Sequence, residues 1–173
     1  MARAARAEVV PAADRELVLR RLFAAPRPLV FAAWTDPAQA AHWWGPKGFV
    51  SVACEMDVRR GGSWRRVMRS PGGILHRASG VYREIAAPER LVFTYAWEDA
   101  AGVPGEETLV SVTFVARDDG TELTLRQTVF ATAGARDAHL GGWSSCFDRF
   151  AEYLAAPCLA KEKSDAAPGR VAR

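Results

Sequence analysis

The sequence predicts an α+β fold. A curved antiparallel sheet of about six or seven strands wraps around one long C-terminal helix, with two short helices between the first two strands. Three observations carry this prediction. Between Arg90 and Trp97, Leu91, Phe93, Tyr95 and Trp97 alternate with Val92, Thr94 and Ala96, the period of a strand. Between about Ala135 and Ala155, Trp143, Phe147, Phe150 and Leu154 recur at i, i+4, i+7 and i+11, which is one face of a helix. Between the N-terminal strand and that helix lies a run of alternating segments separated by turn residues, the mark of an antiparallel sheet that packs on one face. Burying the four large helix side chains contributes roughly 6–12 kcal/mol gross, at about 1.5–3 kcal/mol each, so the helix needs a broad apolar surface to lie on.

The elements follow in order. Arg15 to Phe23 is the first strand, with Leu17, Leu19 and Phe23 on one face. Pro26-Arg27-Pro28 breaks it, and Leu29 to Trp34 forms a short helix. Asp36 then caps a second short helix, with Pro37 at its first position; Gly45-Pro46 stops it just after the pair Trp43-Trp44. Neighbouring helical residues point about 100° apart, so the two indoles cannot share one narrow stripe. The expected split sends Trp43 toward the core and leaves Trp44 at a rim or an interface. Strands follow at Phe49 to Asp57, Ser63 to Arg69, Leu75 to Ile85, Arg90 to Trp97, Thr108 to Arg117 and Thr121 to Phe130. Their turns are Arg59-Arg60-Gly61-Gly62, Ser70-Pro71-Gly72-Gly73, Ala86-Ala87-Pro88-Glu89, the loop Glu98 to Gly105, and Asp118-Asp119-Gly120. Pro157 ends the long helix.

Composition bounds the function. With 173 residues and 49% hydrophobic content, the chain reads as one domain, 15–156, between flexible tails at 1–14 and 157–173. The net charge is only +3, and the basic concentration at Arg59, Arg60, Arg65, Arg66 and Arg69 reads as a solvated strand edge. Nucleic acid is therefore not an expected partner. Cys54, Cys146 and Cys158 have no metal-ligand spacing, and free thiols favour the cytoplasm. No apolar run reaches membrane-spanning length, so membrane insertion is not expected. No phosphate-cradling glycine motif or metal cluster is present in the sequence, and no cofactor or metal is expected.

Strand parity places Trp64, Met68, Phe93, Tyr95, Trp97, Val112, Phe114, Leu125 and Gln127 on the face toward the helix, where Trp143 and Phe147 meet them. These side chains are the candidate wall of a ligand cavity; the alternative is a solid core using the same residues. Arg66 shares parity with Trp64 and Met68. If it points inward, it calls for a carboxylate or an anionic ligand beside it, because an unpaired buried charge is costly. Arg66 and Gln127 are the candidates for orienting a polar end of a ligand. His42, beside the tryptophan pair, is a candidate rim acid or base. Ser144-Ser145-Cys146 has no nucleophile-elbow context.

Taken together, five motifs resemble a known family: Ala25-Pro26-x-x-Leu29-Val30-Phe31-x-Ala33-Trp34-Thr35-Asp36-Pro37; Trp43-Trp44-Gly45-Pro46; Asp57-Val58-Arg59-x-Gly61-Gly62-x-Trp64; Pro88-Glu89-Arg90-Leu91-Val92-Phe93-Thr94; and Gly142-Trp143 within the amphipathic helix. Over about residues 15–156 the chain resembles the activator of heat-shock-protein-90 ATPase homologue-like family, within the START-like, or SRPBCC, helix-grip superfamily. The resemblance implies a hydrophobic cavity between sheet and last helix. In that superfamily some members bind lipids or other small apolar ligands, some are cyclases or aromatases, and some bind chaperones. The first expectation is thus a binder of a small, largely hydrophobic molecule. The alternatives are a cyclase- or hydrolase-type enzyme using His42, Tyr95 or Arg66 in the same pocket, and a chaperone- or client-interacting module. Eukaryotic co-chaperones of this kind carry an additional N-terminal domain, whereas here residues 1–14 alone precede the first expected strand. Homodimerisation is a separate expectation, with Trp44 as its candidate contact.

Overall fold

The computed structural model describes residues 8–10 and 15–156. The elements are β1 (Glu8–Val10), β2 (Leu17–Phe23), α1 (Arg27–Thr35), α2 (Pro37–Trp43), β3 (Val50–Met56), β4 (Ser63–Arg69), β5 (Leu75–Ala86), β6 (Arg90–Glu98), β7 (Thr108–Arg117), β8 (Gly120–Thr128) and α3 (Ala133–Ala155). They form the helix-grip architecture expected from the sequence. One antiparallel sheet runs in the order β1-β2-β8-β7-β6-β5-β4-β3, and α3 lies against it. The sheet begins earlier than the alternation indicates, because Glu8–Val10 pairs with β2 at its outer edge. The two short helices consequently follow the second strand. The remaining residues of both expected tails, and Cys158, lie outside the described residues.

Local chemistry sets the boundaries. Pro28 occupies the first turn of α1, where a missing N–H costs nothing. The Asp36 carboxylate accepts from the Ala38 N–H at 2.9 Å and caps α2. Thr132 caps α3 by accepting from Ala135 N at 3.1 Å. Gly45, in the breaker after α2, has φ +147°, and a Cβ there would sit 2.8 Å from Met68 Sδ. Gly80 on β5 lies opposite Trp64; a Cβ would fall 1.8 Å from the Thr94 carbonyl oxygen. That carbonyl accepts from Trp64 Nε1 at 3.1 Å, so the absence of a side chain at Gly80 lets the indole close over the sheet.

The core is aromatic. Phe23, Phe31, Trp34, Trp43, Phe114, Phe147 and Phe150 are buried where α1, α2 and α3 converge on β2, β7 and β8. Their rings meet at centroid distances from 4.4 Å for Trp43–Phe150 to 6.2 Å for Trp34–Phe150. Most of these contacts are edge-on or tilted, the arrangements that aromatic quadrupoles favour. Both indoles of the Trp43-Trp44 pair are in this core, at 0% and 4% exposure. Trp43 lies in the core as expected, and Trp44, although also buried, borders a cavity. The short α2 ends inside the concave sheet, so both neighbouring directions meet protein.

Candidate functional site

The sheet and α3 do not fill their interface evenly. Toward the N-terminal half of α3 a cavity of about 100 Å³ remains, lined by Trp44, Gly45, Pro46, Met68, Tyr95, Trp97, Ala138, His139, Gly142, Trp143 and Cys146. Its origin is on the helix. Ala138, Gly142 and Cys146 are spaced i, i+4 and i+8, a row of small side chains beside the aromatic row of Trp143, Phe147 and Phe150. A Cβ added to Gly142 would meet no atom within 4 Å. The lip is held by Arg149 of α3, whose guanidinium donates to the carbonyls of His42, Gly45, Pro46 and Phe49 at 2.8–3.2 Å.

Of the candidate lining residues, Met68, Tyr95, Trp97, Trp143 and Trp44 do border this cavity. Trp64, Phe93, Val112, Phe114, Leu125 and Phe147 are buried in the packed core instead. Trp97 is 42% exposed, because β6 runs out past the edge of the core at that residue. Trp43 is core, its Nε1 donating to the Ala33 carbonyl at 2.9 Å. His42 is exposed, stacks on Tyr153 with ring centroids 5.7 Å apart, and faces an outer groove between α2 and β3. Residues that parity did not single out are Gly45, Pro46, Ala138, His139, Gly142 and Cys146; the signal was the small-residue row on α3.

Arg66 points inward at 1% exposure, but no carboxylate meets it. Its NH2 donates to the Trp44 carbonyl at 2.7 Å and its NH1 to the Ala40 carbonyl at 3.2 Å. The cation therefore sits at the C-terminal end of α2, the negative end of the helix dipole, and over the Trp44 ring at 4.8 Å. Burial still holds its pKa below the ordinary arginine value. Arg66 closes a helix end beneath the pocket and does not line it, which corrects its expected role in orienting a ligand. The other arginines of the basic concentration are partly taken up in ion pairs, Arg59 with Asp57 and Arg65 with Glu98.

Gln127 is fully buried and acts behind the wall. Its Oε1 accepts from Trp143 Nε1 at 2.8 Å, and its Nε2 donates to Thr108 Oγ1 at 2.8 Å and lies 3.1 Å from His139 Nδ1. It positions two wall residues and does not itself line the cavity. Trp97 Nε1 lies 3.0 Å from His139 Nε2. Burial lowers the His139 pKa to about 4, so the imidazole is neutral near pH 7. Burial raises the Tyr95 phenol and pushes the Cys146 thiol up to about 12, so both stay protonated and neither is an activated nucleophile. Ser144 Oγ donates to the Leu140 carbonyl and Ser145 Oγ accepts from Lys47 N. Of the three groups proposed for acid–base chemistry, only Tyr95 reaches the pocket. Among the described residues no cluster of His, Cys, Asp or Glu could hold a metal ion.

Residues 24–155 match the family described as Activator of Hsp90 ATPase homolog 1-like protein. The chain belongs to the Activator of Hsp90 ATPase homolog 1-like family. Solved structures agree with this. A protein from Rhodobacter sphaeroides is 27% identical with a TM-score of 0.76, the match covering 87% of this chain and 99% of that one. The AHSA1 protein from Silicibacter pomeroyi is 29% identical with a TM-score of 0.73, covering 81% and 97%. A solution structure from Arthrobacter aurescens, at 23% identity, TM-score 0.77 and coverage of 87% and 92%, shares the fold. No curated protein matches the chain. In this Activator of Hsp90 ATPase homolog 1-like domain no helix among the described residues is long and apolar enough to cross a membrane.

Proposed function

We propose that the protein binds a small, largely hydrophobic molecule in the cavity between β6 and the N-terminal half of α3. The observation that carries this reading is the α3 row Ala138, Gly142 and Cys146 facing Trp44, Met68, Tyr95 and Trp97, with Trp143 beside it on the helix: large side chains on one side, missing volume on the other. At about 100 Å³ the cavity is below the roughly 300–1,000 Å³ of drug-sized sites, so the ligand is a single ring or the end of a longer apolar molecule that emerges past Trp97. Free Cys54 and Cys146 support a reducing, cytoplasmic setting. Native mass spectrometry of freshly purified protein tests the reading. Extra mass that is lost on denaturation, and lost in Gly142→Leu, is the expected result. Bare polypeptide mass, together with no binding of small aromatic probes on titration, contradicts it.

A second reading, contact with a chaperone or client, is favoured by Val50 and Val52, which are more than half exposed on the outermost strand β3. An edge strand of this kind also offers the site for a homodimer. Val52→Glu abolishes chaperone capture or dimer formation if either contact runs through this edge, and leaves it intact if not.

A further inference from the structure

The hydrogen-bond network behind the pocket contains one proton too many, and the surplus identifies the chemistry of the ligand. The count begins at the Tyr95 carbonyl, which accepts from Thr108 Oγ1 at 2.9 Å. Thr108 has thereby used its only hydrogen, so its oxygen must accept from Gln127 Nε2 at 2.8 Å. The opposite end of the Gln127 amide is set independently: Trp143 Nε1 can only donate, so the atom 2.8 Å from it is the Gln127 oxygen. Gln127 is fully buried and cannot turn its amide to water. Its second N–H therefore points at His139 Nδ1, 3.1 Å away, and that nitrogen must accept.

A neutral imidazole has one donor nitrogen and one acceptor nitrogen. With Nδ1 accepting, the proton of His139 is on Nε2. There it faces Trp97 Nε1–H across 3.0 Å. Two donors then confront each other with no acceptor between them. Moving the proton to Nδ1 frees Nε2 for Trp97 but sets Nδ1–H against the Gln127 amide, so one clash replaces another. Ionising His139 creates both clashes at once. The ring is enclosed by Tyr95, Trp97 and Phe130, at centroid distances of 5.1–5.8 Å, and Tyr95, the one titratable side chain among these three, stays neutral. Both of the facing groups line the cavity, and Trp97 is at its exposed mouth, so an acceptor can reach them from the pocket side.

We propose that the pocket selects an apolar molecule carrying a hydrogen-bond-accepting oxygen, such as an aryl ketone, which takes both Trp97 Nε1–H and His139 Nε2–H. This inference rests on the binding function proposed above and adds the ligand's polar group to it. Two donors with no cation favour a neutral oxygen, such as that of a carbonyl or an ether, over an anion. Met68, Ala138 and Gly142 line the apolar remainder of the cavity.

The test uses acetophenone and isopropylbenzene, which are near-isosteric and differ in the carbonyl. Titration of each into the full chain is followed by NMR, with ¹⁵N shifts reporting the His139 ring nitrogens. The expected result is that acetophenone binds about tenfold more tightly. The complex shows a protonated Nε2 and an unprotonated Nδ1, and the Trp97 Nε1–H resonance moves further with the ketone than with the hydrocarbon. Trp97→Phe keeps an aromatic wall and lowers the affinity ratio to about threefold, with His139 Nε2–H left as the one donor. Equal affinity of both probes in the wild type, or a His139 protonated at Nδ1 in the ketone complex, overturns the inference while leaving the binding function standing. Failure of both probes to bind overturns the binding function itself.

Discussion

The six tryptophans divide the molecule into a closed half and an open half that share one sheet and one helix. Trp34, Trp43 and Trp64 are in the closed half, each at most 1% exposed and surrounded by other rings. Trp44, Trp97 and Trp143 border the cavity. The open half is not short of rings on the sheet side, since β6 supplies Tyr95 and Trp97, so the sheet does not create the difference. The helix does: α3 presents Phe147, Phe150 and Leu154 to the closed half and Ala138, Gly142 and Cys146 to the open one. A binding site here is volume left out of an otherwise close-packed interior.

That comparison can be broken at several levels. The largest effect is expected in the closed half. Phe147→Ala removes a fully buried ring that packs on Phe23 and lowers stability by about 3–5 kcal/mol in urea denaturation, whereas Trp97→Ala in the open half costs under about 1 kcal/mol. Equal costs would show that the two halves are packed alike. Next is Arg66→Ala, expected to cost about 2–4 kcal/mol because it removes the Arg66 donor from the Trp44 carbonyl and leaves a void inside the core, while the Ala40 carbonyl keeps the Trp44 N–H. A wild-type-like melting curve would remove Arg66 as the closure of α2.

A smaller effect is set by pH. The folded-state pKa of His139 is about 4, below its ordinary 6.5, so between these values the unfolded chain binds the extra proton. The stability that His139 contributes is complete above pH 6.5 and is lost as pH falls toward 4. Allowing for the partial exposure of the ring, the loss is about 2 kcal/mol. Thermal melts of wild type and His139→Gln should converge across that window, and parallel curves would contradict the burial of a neutral imidazole. The smallest effect is at Val129, a β-branched residue at φ +68° between β8 and α3, 66% exposed. Val129→Asn should raise stability by about 0.5–1 kcal/mol, since asparagine tolerates the left-handed region better. An unchanged or lower midpoint would show that the side chain is held there by contacts worth more than the strain.

The sheet, both short helices and α3 were legible because each depends on local periodicity and punctuation: Asp36-Pro37 starts α2, Gly45-Pro46 ends it, and Ser63–Arg69 and Thr108–Arg117 have the bounds that alternation assigns. Parity also put Arg66 and Gln127 on the apolar face, leaving open whether Arg66 points inward. It could not supply their partners, because the Trp44 carbonyl is 22 residues from Arg66 and the Trp143 indole 16 from Gln127. The pocket was less legible still. Alternation reports large side chains, and this cavity is made by small ones, with Gly45 from one loop and Gly142 from a helix about a hundred residues later in the chain. His139 illustrates the same point: its significance comes from Trp97 and Gln127, which the fold brings to its two ring nitrogens.

The most direct measurement is the set of six indole N–H resonances during titration with isopropylbenzene, in the wild type and in Gly142→Leu. The account predicts the largest shifts at Trp44, Trp97 and Trp143, small ones at Trp34, Trp43 and Trp64, and no saturable shift in Gly142→Leu, which remains folded with its cavity filled. Shifts centred on the closed-half indoles, or undiminished binding in folded Gly142→Leu, would contradict it.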